Sequence, residues 1–209
     1  MYQRQLDTIL KRIEEDQARP SLLLHACCAP CSSYVLEYLI PYFSITVFYY
    51  NPNITPEEEF SFRLKEEERL VSALPGASDI KVVAPPYDHS EFLKAAEGLE
   101  DEPERGRRCS RCFELRLKAA ALYAKENGFD YFTTTLSISP LKNAALLNEI
   151  GAQLSEETGV PFLPSDFKKR GGFQRSIELS KEYDLYRQNF CGCEFSRAER
   201  DKRDADAQR

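Results

Sequence analysis

Seven cysteines constrain this chain more than any other feature, because they fall in three tight groups with none outside them. The groups are Cys27-Cys28-Ala29-Pro30-Cys31, Cys109-Ser110-Arg111-Cys112 and Cys191-Gly192-Cys193. A lone cysteine is ordinarily a small buried hydrophobe, and that role does not explain the clustering. Thiolates bind zinc and iron–sulfur groups. One zinc takes four ligands, commonly as two separated pairs, and would leave three of the thiols unused. Cys109 and Cys112, three apart at a predicted helix start, share a face. Gly192 lets the backbone turn tightly between Cys191 and Cys193. Neighbours on an extended chain point to opposite sides, so Cys27 and Cys28 are expected to serve different metals rather than chelate one ion.

On the residues alone, three chemistries stay open. They are an iron–sulfur centre with a second metal, a structural zinc site, and dithiol–disulfide exchange at the first group, which follows a strand as a redox dithiol does. Composition narrows the setting. A chain of 209 residues is long enough for one domain with a sizeable core. The first 17 residues form a charged amphipathic pattern, not a signal peptide, and no apolar run approaches membrane-spanning length. A cytoplasmic location with no membrane partner is expected. Thiols stay reduced there, which favours metal or redox chemistry over disulfides. The net charge of −6 argues against general nucleic-acid binding, yet two basic patches stand out. Arg105, Arg107, Arg108 and Arg111 surround the middle thiol pair, and Lys168, Lys169, Arg170 and Arg175 flank Gly171-Gly172. A charge run of this kind is ordinarily a solvated face.

Periodicity predicts helices over 2–18, 31–40, 55–74, 91–99, 109–127, 141–158 and 174–189, the last delivering Cys191 and Cys193. Strands are predicted over 21–26, 44–50, 80–84 and 131–136, with 161–164 a short fifth at an edge. Alternating strands and helices point to a parallel sheet with helices on both faces. The first thiols then sit where a strand's carboxyl end meets a helix N-terminus, the crevice where open α/β sheets bind ligands. Residues 1–196 read as a single α/β domain, and 197–209 as a charged tail expected to be disordered.

Several motifs together carry a resemblance. They are His25-x-Cys27-Cys28-x-Pro30-Cys31, Tyr50-Asn51-Pro52-Asn53-Ile54, Arg108-Cys109-x-x-Cys112, Thr133-Thr134-Thr135-Leu136 and Ser139-Pro140-x-Lys142-Asn143. The run continues through Asp166-Phe167, Gly171-Gly172, Arg175-Ser176, Tyr186-Arg187-Gln188 and Cys191-Gly192-Cys193. In this order, over about residues 21–196, the chain resembles the epoxyqueuosine reductase QueH family. The resemblance implies a Rossmann-like (HUP-type) α/β sheet with a metal site at the carboxyl ends of the strands. It implies an oxidoreductase that reduces epoxyqueuosine, at the wobble position of certain transfer RNAs, to queuosine, the last step of queuosine synthesis. It also implies a [4Fe–4S] cluster with an additional mononuclear iron, and as partners the anticodon stem-loop of tRNA and an unidentified electron donor.

Carried over by position, Cys27, Cys28, Cys31, Cys109, Cys112, Cys191 and Cys193 are the implied metal ligands. Family members can carry Asp where this chain has Cys31, which points that position to the extra iron. Four thiolates for a cluster and three for an iron satisfy the count. Lys142, Asp166 and Tyr186 are candidate proton donors. His25, Asn51, Asn53, Arg105, Arg107, Lys168, Lys169, Arg170 and Arg175 are candidate substrate or RNA contacts, although His25 by itself reads as a satisfied strand histidine. A competing reading is a sulfur-transfer enzyme of the same architecture acting on tRNA. That class uses a Ser-Gly-Gly-x-Asp-Ser loop after the first strand, where this chain has Ala26-Cys27-Cys28-Ala29-Pro30-Cys31.

Overall fold

A computed structural model describes residues 1–207. Four parallel strands form one sheet in the order β3-β2-β1-β4. They are β1 (Ser21–His25), β2 (Ser44–Phe48), β3 (Lys81–Val83) and β4 (Tyr131–Thr134). β1 is central, and Leu22, Leu23 and Leu24 are all fully buried. A strand covered on both faces reads as a continuous apolar run rather than an alternating one. Leu22 and Leu24 pack with α1 (Tyr2–Glu15), α2 (Ala29–Leu39) and α3 (Glu57–Ala73) on one face. Leu23 packs with α5 (Arg107–Glu126) and α6 (Ala144–Thr158) on the other. The chain winds outward from β1 to β2 and β3, then returns to place β4 on β1's free side. That reversal makes the carboxyl ends of β1 and β4 a topological switch point.

The remaining elements are α4 (His89–Ala96), a short 3-10 turn (Thr135–Ile138), α7 (Gly172–Glu182) and α8 (Glu194–Ala207). Asn143 caps α6 by accepting from the N–H groups of Ala145 and Leu146, and Gly159 ends it in the left-handed region at φ 79°. No helix is long and apolar enough to cross a membrane among the described residues.

Four expectations differ. The strand at 131 stops at Thr134, because the Thr134 hydroxyl accepts from the Leu136 N–H and starts the 3-10 turn. The segment Pro161–Pro164 contributes only one bridge, Phe132 to Phe162; prolines at both ends remove the donors a longer ladder needs. The helix from Gly172 ends at Glu182, seven residues short of 189. Asp184 turns left-handed there, and Arg69 of α3 takes the Tyr183 and Asp184 carbonyls at 2.9 Å each. Cys191 and Cys193 are therefore delivered by an irregular segment, not by that helix. Residues 194–207 form α8, where 197–209 was expected to be disordered; residues 208–209 lie outside the described residues. α8 has almost no apolar face, and polar anchors hold it instead. Glu199 Oε1 accepts from the Glu104 N–H at 2.9 Å and pairs with Arg108, and Arg197 donates to the Thr55 carbonyl.

α7 packs against α2 through Gly172. A Cβ there would lie 2.0 Å from the Phe167 carbonyl oxygen and 2.5 Å from the Tyr34 ring. Gly172→Ala is expected to destabilise the protein by about 1–3 kcal/mol, the usual cost of overpacking, as read by urea unfolding. Gly98→Ala, in open space but at φ 72°, should lose only the smaller cost of placing a side chain on a left-handed backbone.

Candidate metal centre

The first thiols converge. Cys28 Sγ lies 2.9 Å from Cys31 Sγ and 3.8 Å from Cys27 Sγ, and all three sulfurs lie within 4.8 Å of one another. Thiolates held at about 2.3 Å around one tetrahedral ion stand roughly 3.8 Å apart, so this spacing suits a single metal. The expectation that adjacent Cys27 and Cys28 serve different metals is thereby corrected. Cys28, itself extended, is the N-cap of α2 and Cys31 its third residue; the chain bends at Cys27, beyond the end of β1, so the strand's alternation does not apply. Thr135, at the end of β4, closes the triad with its hydroxyl 3.8 Å from Cys27 Sγ.

The other four thiols line a second cavity with Asn53, Arg108 and Arg116. Cys109 is the third residue of α5, behind its N-cap Gly106, and its sulfur accepts from the Arg105 N–H at 3.2 Å. Cys193 immediately precedes α8, and its sulfur accepts from the Ser196 N–H at 3.4 Å. Ser196 Oγ returns to the Cys193 carbonyl at 3.0 Å and accepts from the Gly192 N–H at 3.3 Å. Gly192, at φ 126°, has Ile54 2.9 Å from where a Cβ would stand. No three of these four sulfurs share the triad's compactness, and a spread set of four suits a cluster better than one ion. Cys191 lines both cavities and joins the two groups.

The electrostatics fit metal binding. Within the triad, the Cys28 and Cys31 thiols stabilise a thiolate on Cys27 and hold its pKa well below that of an ordinary thiol. Their own pKa values rise in consequence, that of Cys28 to about 12. Burial, and then the like charge of Cys191, Cys193 and Cys109, pushes Cys112 up to about 12. A cation at either set relieves this opposition. Arg116 is buried between the sets, donating from Nε to the Cys112 carbonyl at 3.2 Å and from Nη1 to Asn51 Oδ1 at 3.3 Å. Burial works against charge on Lys142, but the Cys191, Cys27 and Cys31 sulfurs outweigh it and hold the ammonium protonated above the usual lysine range.

A cavity of about 330 Å³ opens over the triad, lined by Asn53, Arg105, Lys142, Arg187, Phe190 and Arg203 among others. Of the three predicted proton donors, only Lys142 reaches it. Asp166 instead pairs with Lys168 at 2.7 Å. The Tyr186 hydroxyl points to Glu59 Oε1 at 3.3 Å, and its ring packs on Phe62. Of the predicted substrate contacts, Asn53 and Arg105 line the cavity. His25 does not, because it is fully buried and both ring nitrogens are engaged. A carbonyl only accepts, so Nε2 donates to the Tyr50 carbonyl at 3.1 Å and Nδ1 accepts from the Thr134 hydroxyl at 2.9 Å. Asn51 is also buried, donating to the Ala26 carbonyl at 2.8 Å while holding Arg116. Arg107 pairs with Glu102 at 2.7 Å, Arg170 with Asp7 and Arg175 with Glu37 at 2.6 Å. With exposed Lys169, they stand outside the cavity wall.

Sequence reasoning missed Arg116, Arg63, Arg187 and Arg203 at the site. The signal for Arg116 was its spacing, four residues after Cys112 on the same helical face. Arg63, whose Nη1 donates to the Cys191 carbonyl at 3.1 Å, carries no such local sign. Glu67 was missed as well. It is fully buried, both its carboxyl oxygens lack a hydrogen-bond partner, and burial pushes its pKa up to about 8. The folded form therefore keeps a proton that the unfolded chain releases near the ordinary value of about 4.3. That contribution to stability is complete below the lower value and lost as pH rises toward 8. In metal-free, reduced protein this one group should lower stability between pH 5 and 8 with a slope of up to about 1.4 kcal/mol per pH unit, opposed below about pH 6.5 by buried His25, whose pKa is lowered to about 4. Glu67→Gln should flatten that slope in urea unfolding, and an unchanged slope would contradict the assignment.

Residues 22–199 match the family described as epoxyqueuosine reductase QueH. The protein of that name from Staphylococcus epidermidis is 44% identical over 200 residues, covering 93% of this chain and 84% of that one. The Streptococcus pyogenes protein of that name is 42% identical over 197 residues, covering 93% and 77%. The Thermotoga maritima protein of that name is 34% identical over 192 residues, covering 90% and 96%. With all seven thiols inside the matched span, the chain belongs to the epoxyqueuosine reductase QueH family.

Proposed function

We propose that this protein reduces epoxyqueuosine, at the wobble position of tRNA, to queuosine in the cytoplasm. The observation that carries the reading is the tight sulfur triad beside a four-thiol cavity, at the switch point of a QueH-family chain. The reaction takes two electrons and two protons, turns the epoxide into an alkene and releases its oxygen as water. When bound, a [4Fe–4S] cluster supplies electrons and an additional iron supplies a Lewis acid for the epoxide oxygen. Cys27, Cys28 and Cys31 would hold the single iron, because their spacing suits one ion. Cys109, Cys112, Cys191 and Cys193 would hold the cluster. The electrons come from a separate donor.

The chain's own residues do the rest. The cavity over the triad is about 330 Å³. That is at the small end for a ligand pocket, so it suits an extruded modified base better than a duplex segment. Lys142 Nζ stands at the cavity wall, where it provides a proton to the departing oxygen. Asn53 Oδ1 is buried, lines the cavity and has no protein partner, so it is an acceptor for a substrate hydroxyl. Arg105, Arg187 and Arg203 give the cavity a basic rim that suits RNA phosphates.

The test is anaerobic, metal-reconstituted protein with a chemical reductant and tRNA carrying epoxyqueuosine, read by mass spectrometry of the released nucleosides. Loss of one oxygen atom from the modified base is expected. A protein that holds its full metal complement and leaves the base unchanged would overturn the proposal. On the same assay, Arg105→Ala and Arg187→Ala should each raise KM for tRNA and reduce the salt slope of binding by about 1. Lys169→Ala and Arg170→Ala should leave both unchanged, since neither side chain lines the cavity.

A further inference from the structure

Arg116 has a donor with no protein partner. The residue is 1% exposed, and two of its guanidinium nitrogens are fixed by Cys112 and Asn51. Asn51 is itself fixed to the end of β1 through the Ala26 carbonyl, so the group is oriented from both sides. The third nitrogen, Nη2, is buried without any hydrogen-bond partner. Arg116 lines both thiol cavities. A buried charged donor left unmade is costly, and Asn51 and the Cys112 carbonyl do not reach it. Cys27, Cys28, Cys31 and Cys191 line the first of these cavities with Arg116, and Cys109, Cys112, Cys191 and Cys193 the second. The acceptor that completes the site is therefore an anionic sulfur at the junction of the two cavities.

We infer that Arg116 is a positioning residue that donates an Nη2–H hydrogen bond to a sulfur of the metal group held by Cys109, Cys112, Cys191 and Cys193, and thereby raises that group's reduction potential. The inference rests on the iron–sulfur reading above. The physical basis is general: hydrogen bonds to the sulfurs and a nearby positive charge both favour the more negative, reduced state of a cluster. Cys112 and Arg116 belong to one helical face of α5, so the ligand and its donor move together. Asn51 gains a role from the same geometry, as the anchor that aims the guanidinium.

The experiment is an EPR-monitored redox titration of anaerobically reconstituted wild type, Arg116→Met and Arg116→Lys, with iron and sulfide measured on each. Arg116→Met is expected to shift the midpoint potential to a more negative value. Arg116→Lys keeps the charge but not the aimed donor, and should shift it the same way by less. If Arg116→Met does not fold, Arg116→Lys decides the question. A wild-type potential in a loaded variant would overturn the inference, because a merely structural role would change stability and not potential. Folded variants that take up no metal would also overturn it, by assigning Arg116 to assembly of the site. A wild-type protein without any cluster would remove the iron–sulfur reading and this inference with it, whereas a loaded wild type with an unmoved variant removes the inference alone.

Discussion

Every thiol group in this protein lies at the N-terminus of a helix, and the rest of the fold serves that arrangement. Cys28 caps α2 with Cys31 in its first turn, Cys109 lies in the first turn of α5, and Cys193 accepts an N–H from the first turn of α8. Free N–H groups and the helix dipole stabilise a thiolate there, each terminus contributing about 0.3–1 kcal/mol and up to about 2 when partly buried. Burying an anion costs several kcal/mol, so three termini do not by themselves hold a set of buried thiolates. Arg116, Arg63 and Lys142 add positive charge at the same place. The balance still leaves Cys28 and Cys112 favouring the protonated form, which is the state a bound metal displaces. The arrangement suits a bound metal, whose charge would offset that opposition.

The sheet brings those helix ends together. Because β4 returns beside β1, the loop after β1 and the turn after β4 face each other, and Cys27 meets Thr135 there. α5 crosses the same edge of the sheet and carries Cys109 and Cys112. The third group comes from the far end of the chain and has no strand to fix it. α8 replaces that strand by tying the third group to the second. Glu199 reaches Glu104 and Arg108, while Phe190 is surrounded by the guanidinium groups of Arg63, Arg197 and Arg200 at 5.1, 5.2 and 4.7 Å. A helix with one buried residue, Ser196, thus fixes the position of two thiols.

The legible part of this protein was the part encoded locally. Leu22-Leu23-Leu24 followed by thiols and Pro30 announces a buried strand ending at a helix N-terminus, and the structure has it. The family's motifs named the thiols and Lys142. The convergence of Cys27 with Cys28 was not legible, because the strand's two-residue period does not extend past its end at His25. α8 was read as disorder, since its residues show no apolar stripe; its partners, such as Glu104 and Thr55, are distant in sequence. The same reason bears on the basic residues. Lys168, Lys169 and Arg170 form the denser run, but Asp166 and Asp7 engage two of them, while Arg187 and Arg203, outside that run, reach the cavity. A run of charge is visible in sequence, whereas the acids that neutralise it are positioned by tertiary structure.

The central claim is that the seven thiols divide into a set of three for one iron and a set of four for a cluster. Iron and sulfide per chain, measured after anaerobic reconstitution of wild type and Cys31→Ala, test it most directly. The account predicts about five irons and four sulfides in the wild type, and about four of each in the variant. Loss of sulfide together with iron in Cys31→Ala would contradict the division, and so would a wild type that binds zinc with no sulfide.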